Sequence, residues 1–249
     1  MLKSFLRRLP GVVRMILPGL LLIPGLVWAE PSVLIAGGAG YKRPIDEIAQ
    51  GFEAGSNIRV ERFYGHMGQV LAQARASGRV TVVFGEREVL ETADQVKFSR
   101  ILPLGKGRLV VAWPRGKSMT QPQELASGVF ARIAVADTRQ AIFGKAALEY
   151  LQHSGQFPAV EKRLLIVNMV PQVSSYLVSG EVDAGFINLT EALAIRGQIG
   201  GYLEIPQADY TPVDIVAAQV SGQETTEAQA FMAYLQTPAV RDILKRYGM

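Results

Sequence analysis

The residues best placed to do chemistry lie in two short glycine-bearing stretches, Gly37-Gly38-Ala39-Gly40-Tyr41-Lys42-Arg43 and Tyr64-Gly65-His66-Met67-Gly68-Gln69. The first follows an apolar run, the second an alternating run over 58–63, and each precedes a segment of helical spacing, so each reads as a loop from a strand into a helix. Such loops present free backbone N–H groups at a helix N-terminus, where a small anion can be held without any side-chain charge. Glycine lets those amides approach the ligand closely, and the side chains of Lys42, Arg43 and His66 add positive charge beside them. Three later loops have the same setting, residues 137–144, 169–172 and 188–190, which carry Phe143, Val170 and Asn188. Spacing alone leaves a second reading open, in which the glycines only make tight turns and Lys42 and Arg43 face water.

Catalytic patterns are absent by comparison. The chain has two histidines, His66 and His153, and no cysteine, so it offers no thiol nucleophile and no cysteine-based metal site. No HExxH or GxSxG pattern is present. The glycines at 38 and 40 do not complete a dinucleotide fingerprint, because Arg43 stands where the last glycine belongs. Gly116-Lys117-Ser118 lacks the earlier glycine of a phosphate-binding P-loop. An enzyme built on this chain needs a paired acid and base, and Asp137 with His66 is the pair the sequence offers. Binding without catalysis is the expectation, with no cofactor and no resident metal.

The elements that position these loops follow a repeating grammar. Residues 32–36 are a short continuous apolar run, as in a strand covered on both faces, and the spacing of Ile45, Ile48, Ala49 and Phe52 is helical. Strands at residues 58–63 and 80–84 flank a helix over 69–77 that Gly78 stops. The pattern resumes with strands at 109–113, 132–136, 164–167 and 184–187, helices over 144–154 and 170–179, a strand over 214–220, and closing helices over 227–235 and 239–247. This alternation predicts an α/β protein with mainly parallel sheets flanked by helices. Two lobes are expected, residues 30–113 and 114–207, with residues 208–249 returning to the first. Pro114 and the proline-rich residues 205–212 mark the expected crossings.

Residues 1–29 read as a secretory signal peptide. Lys3, Arg7, Arg8 and Arg14 precede an apolar run, and Val27-Trp28-Ala29 suits a cleavage site before Glu30. The run is shorter than a membrane span needs and carries Pro18 and Pro24. Those four basic residues account for the whole net charge of +4, so residues 30–249 are balanced. A balanced surface gives no footprint for nucleic acid or anionic lipid. With no cysteine there is neither a disulfide framework nor a lipid-anchor site, and stability must come from core burial.

Several stretches resemble the periplasmic molybdate-binding proteins of ABC transporters. They are residues 98–114 (Phe-Ser-Arg-Ile-Leu-Pro-Leu-Gly-Lys-Gly-Arg-Leu-Val-Val-Ala-Trp-Pro), 132–137 (Arg-Ile-Ala-Val-Ala-Asp) and 143–151 (Phe-Gly-Lys-Ala-Ala-Leu-Glu-Tyr-Leu). The block at 178–192, containing Gly-Glu-Val-Asp-Ala-Gly, is the most specific, and the tail at 230–248 is shared more widely. The resemblance implies a two-lobed periplasmic-binding-protein fold that closes over a tetrahedral oxyanion in the cleft between lobes and delivers it to an inner-membrane ABC permease. It implies a periplasmic monomer with no nucleic-acid partner.

Members of that family hold the anion with two serine-bearing loops, backbone amides and a tyrosine. Here Gly40 stands near the first serine position, Gly68 or Gln69 near the second, Phe143 in the first loop of the second lobe, Val170 at the amide-donating helix start, and Asn188 in place of the tyrosine. The backbone contributions survive while the hydroxyls do not, and Tyr41, Lys42, Arg43 and His66 lie close by. Molybdate-like oxyanions are therefore one expectation, and a small carboxylate or phosphate compound is another. A periplasmic sensor or docking role on the same scaffold is a third.

Overall fold

The computed structural model describes residues 30–249, so the leader expected over 1–29 lies outside the described residues. Two five-stranded sheets form the frame, each with helices on its faces. The first contains β1 (Ser32–Gly38), β2 (Arg59–Gly65), β3 (Val82–Glu86), β4 (Phe98–Gly107) and β10 (Val213–Val220), in the order β2-β1-β3-β10-β4. The second contains β5 (Leu109–Trp113), β6 (Ile133–Ala136), β7 (Leu164–Val167), β8 (Ala184–Asn188) and β9 (Gly201–Glu204), in the order β7-β6-β8-β5-β9. In each sheet the leading strands pair in parallel and one strand runs against its neighbours, β10 in the first and β5 in the second.

Burial explains why these segments are strands. Every residue of β5, β6 and β8 is buried, the mark of a strand covered on both faces. Around them, α1 (Lys42–Ser56) turns Ile45, Ile48, Ala49 and Phe52 inward and ends at Asn57, whose φ of 57° stops the helix. The helices α2 (Met67–Ser77), α4 (Ile142–His153) and α6 (Val170–Ser179) follow β2, β6 and β7. Shorter helices α3 (Arg87–Glu91), α5 (Phe157–Val160) and α7 (Leu189–Ile195) fill later connections, and α8 (Thr226–Tyr234) and α9 (Pro238–Arg246) close the first lobe. One core cluster runs through both lobes, from Ile35 and Phe84 to Leu109, Ile133 and Phe186.

The structure corrects the first lobe boundary. Leu109–Trp113 pairs with β8 and β9, so it belongs to the second sheet and the chain crosses at Arg108, not at Pro114. Residues 98–108 carry Pro103, Gly105 and Gly107 ahead of β5, and Pro114 begins the turn that ends β5. The return passes through residues 205–212. At the crossings the Leu109 N–H donates to the Tyr210 hydroxyl at 2.9 Å, which fastens the two connecting segments together.

Candidate functional site

Four helices begin at one cleft between the lobes. Gly38 pairs in register with Gly65, so the loops after β1 and β2 leave the first sheet side by side, and Ala136 and Val167 pair likewise at the ends of β6 and β7. From these ends start α1, α2, α4 and α6. The first-turn N–H groups of a helix have no partner within it and carry the positive end of its dipole. None of these four helices has an acidic residue in its first turn. Of the other helices, α3, α7 and α8 each carry a glutamate there, while α5 and α9 carry none.

The cleft is narrow and is lined from both lobes. Gly38, Ala39, Gly40 and Tyr41 line it from the first loop, Gly65, His66 and Met67 from the second, and Gln140, Ala141, Ile142, Phe143, Met169 and Val170 from the other lobe. Of the expected site residues, Gly38, Ala39, Gly40, Tyr41, His66, Met67, Phe143 and Val170 therefore meet here. Gly65, Gln140, Ala141, Ile142 and Met169 were not singled out from sequence, although they sit in the loops identified. For Ile142 the signal was a helix start two residues earlier than periodicity suggests.

Lys42, Arg43, Gly68, Gln69 and Asn188 do not line the cleft. Lys42 is ion-paired with Asp46 one turn along α1, with its ammonium 5.2 Å from the centre of the Tyr64 ring. Arg43 reaches Glu191 at 3.1 Å. The backbone N–H of Gln69 donates to Nδ1 of His66 at 3.3 Å, so His66 caps α2. A neutral ring that accepts at Nδ1 carries its proton on Nε2, leaving that N–H free to donate. The His66 ring also packs over Gly68, with Cε1 3.3 Å from where a Cβ would stand. Asn188 lies behind the cleft wall, fully buried, and donates to the Gly40 carbonyl.

The lining thus contains no lysine or arginine. Its polar side chains are Tyr41, His66 and Gln140. Tyr41 is buried, which pushes its hydroxyl well above the ordinary tyrosine range, and its ring lies 5.9 Å from that of Phe143 across the lobes. Asp137 does not act as a catalytic partner for His66. Its Oδ1 accepts from the N–H groups of Arg139 and Gln140 at 2.8 and 2.9 Å, and those bonds hold its carboxyl below the usual range. The carboxylate shapes the turn that brings Gln140 and Ala141 to the cleft. Gly144 completes that turn, since a Cβ there would stand 2.2 Å from the Asp137 carbonyl oxygen.

This arrangement can bind an anion by backbone donors but presents no assembled nucleophile, base or metal ligand set. Residues 33–249 match the family model of the bacterial extracellular solute-binding proteins. The chain is 24% identical over 247 residues to the molybdate-binding protein ModA of Rhodobacter capsulatus, covering 96% of this chain and 97% of that one. It is 24% identical to ModA of Azotobacter vinelandii over 228 residues, 88% of this chain and 89% of that one. Among solved structures it is similar to the periplasmic molybdate-binding protein of Azotobacter vinelandii, with a TM-score of 0.79 at 24% identity over 87% of this chain and 97% of that one. It is also similar to PEB3 bound to L-phospholactate, with a TM-score of 0.69 at 16% identity over 87% of this chain and 98% of that one. These structures share the two-lobed α/β fold. The chain belongs to the bacterial extracellular solute-binding proteins, a family of binding proteins and not of enzymes.

Proposed function

We propose that this protein is the periplasmic component of an ABC transporter and captures a small tetrahedral oxyanion of the molybdate and tungstate class. The observation that carries this reading is the convergence of α1, α2, α4 and α6, all without a first-turn acid, on a cleft lined by no lysine or arginine. Neutral, fixed N–H donors reward a compact, fully ionised anion that all of them can reach at once. Flexible cationic side chains would accept a wider range of acids, and Lys42 and Arg43 are engaged elsewhere. The relatives named for molybdate binding support the same class. Closure about the crossings at Arg108 and residues 205–212 brings donors of both lobes onto the anion, after which an inner-membrane permease receives it. The leader over residues 1–29 directs export.

One observation favours a second reading. Ile142, Phe143, Met169 and Val170 form an apolar wall where hydroxyl groups are absent, which suits the carbon end of a small carboxylate or phosphate compound. PEB3, of the same fold, was solved with such an acid.

The test is thermal melting of residues 30–249 with molybdate, tungstate, sulfate, phosphate and small carboxylates. A ligand at about 100 times its Kd adds roughly 2.7 kcal/mol, on the order of 5–10 °C for a chain of this size. Shifts with molybdate and tungstate alone support the oxyanion reading. Shifts confined to organic acids replace it with the second, and no shift with any of them removes both.

A further inference from the structure

The chain places an arginine of one lobe in a groove of the other. Arg43 belongs to the first turn of α1, which packs on the first sheet. Its side chain enters a groove of the second lobe between α6 and α7, bordered by Ser174, Ser175, Val178, Ile195 and Gln198. There Nε donates to Oε1 of Glu191 at 3.1 Å. The two partners are unequally placed. The Glu191 side chain is 1% exposed and that of Arg43 is 48% exposed. Among the described residues, Arg43 is the one cation paired with Glu191.

That asymmetry gives the pair a direction. With the lobes together the carboxylate is desolvated, with Ser174 of its own lobe and Arg43 of the other as its polar neighbours. Opening the hinge withdraws the guanidinium and leaves a buried charge without its partner, which is costly, while Arg43 returns to water at little cost. The pair therefore favours the closed form. The same turn is fastened a second time, since Asn188 of the second lobe donates to the carbonyl of Gly40, three residues before Arg43. Neither Arg43 nor Glu191 lines the cleft.

We infer that Arg43 and Glu191 form an interlobe latch that raises solute affinity by favouring closure, without either residue touching the solute. Arg43 is thus a positioning residue. Apparent affinity scales with the fraction of protein in the binding-competent form, so a latch acts on every ligand of the cleft alike. The inference rests on the solute-binding role but not on the identity of the solute.

The experiment measures closure and affinity in Arg43→Gln, Glu191→Gln and the double variant. The chain has no cysteine, so Arg75→Cys on α2 and Gln152→Cys on α4, both exposed, carry a unique pair of spin labels on opposite lobes. Both single variants are expected to lengthen the label distance in ligand-free protein. Each should also weaken the panel ligand about tenfold, the scale of one charge-assisted hydrogen bond. The double variant should lose no more than either single one, because one interaction is removed in all three. Glu191→Gln keeps the side-chain volume, and its melting curve without ligand shows whether it folds. Unchanged distances in the folded single variants, or losses that add in the double variant, overturn the latch. If wild-type protein binds no panel member, the oxyanion reading falls while the distances still decide the latch.

Discussion

Asn188, the last residue of β8, donates from Nδ2 to the carbonyl of Gly40 at 2.9 Å and is fully buried. The bond runs from the second sheet to the short 3-10 turn Ala39–Tyr41 that precedes α1. Gly40 lines the cleft, so Asn188 orients a ligand loop from behind. A buried bond of this kind counts for more through the cost of leaving its acceptor unpaired than through its own net strength.

Asn188→Ala is therefore expected to reduce both stability and ligand affinity. Loss of the donor leaves the half-buried Gly40 carbonyl without this partner, at about 1 kcal/mol. Urea unfolding of the ligand-free protein gives the stability change and calorimetric titration gives the affinity. An unchanged midpoint would mean that water replaces the amide.

His66 caps α2 and lines the cleft, so a role as cap and a role as ligand donor can be separated. His66→Ala removes both and should cost about 0.5–2 kcal/mol of stability, as for other lost caps. His66→Asn supplies a good capping side chain, so it should keep the stability while still losing affinity. Melting curves with and without ligand distinguish the two variants. Equal affinity in His66→Asn and wild type would confine His66 to the cap.

Much of this arrangement was readable before any coordinates, because the fold's repeated unit writes itself as apolar run, glycine loop and helical spacing. The runs at 32–36 and 132–136 became β1 and β6, and the loops after them became two walls of the cleft. The boundary at 113/114 failed because β4 and β5 adjoin in sequence, one residue apart, and lie in different sheets. Only pairing with β8 reveals which sheet holds Leu109–Trp113, and pairing is a long-range fact. Lys42 and Arg43 lie outside the cleft lining, Lys42 through a local i,i+4 pair and Arg43 through a long-range one. Charge and proximity in sequence mark them as available, but Asp46 and Glu191 claim them, and Glu191 is 148 positions away. The absence of first-turn acids in α1, α2, α4 and α6 was present in the sequence, but α5 and α9 share it, so only the convergence of the four helix starts marks the cleft.

Lys42→Ala should leave ligand affinity within about twofold of wild type, since a solvent-exposed pair such as Lys42–Asp46 contributes little and does not face the cleft. Titration of the variant at low and moderate salt is the check. A large loss at both salt concentrations would return Lys42 to the site.

Glu86, Glu88 and Glu149 share a second interlobe space with Lys145. Burial pushes the Glu86 carboxyl above its ordinary value of 4.5, with Lys145 opposing the shift and Glu88 and Glu149 adding to it. The folded protein then holds this proton more tightly than the unfolded chain does. Stability from Glu86 is full below the ordinary carboxylate range and falls as pH rises through the raised value. Glu86→Gln should accordingly stabilise the protein near neutral pH and make no difference in acid. Urea midpoints at about pH 4 and about pH 8 test the sign, and a variant less stable at the higher pH would reverse it.

Gly107, the last residue of β4, sits where the lobes meet the crossing. A Cβ at this position would stand 2.2 Å from Oη of Tyr41, 2.8 Å from Cζ of Phe143 and 3.0 Å from Cγ1 of Val213. Tyr41 comes from the first lobe and Phe143 from the second, and both line the cleft. Gly107→Ala must displace one of them, and overpacking of this kind costs about 1–3 kcal/mol. Reduced stability and weaker ligand binding are both expected, because the displaced ring has only the cleft or the interlobe contact to move into. Tyr41→Phe removes the atom nearest the added methyl, so Gly107→Ala with Tyr41→Phe should recover most of the lost stability, whereas Tyr41→Phe alone should change little. Denaturation midpoints for the three variants decide the matter. No recovery in the double variant would assign the strain to Phe143, and a neutral Gly107→Ala would show that the hinge region yields without cost.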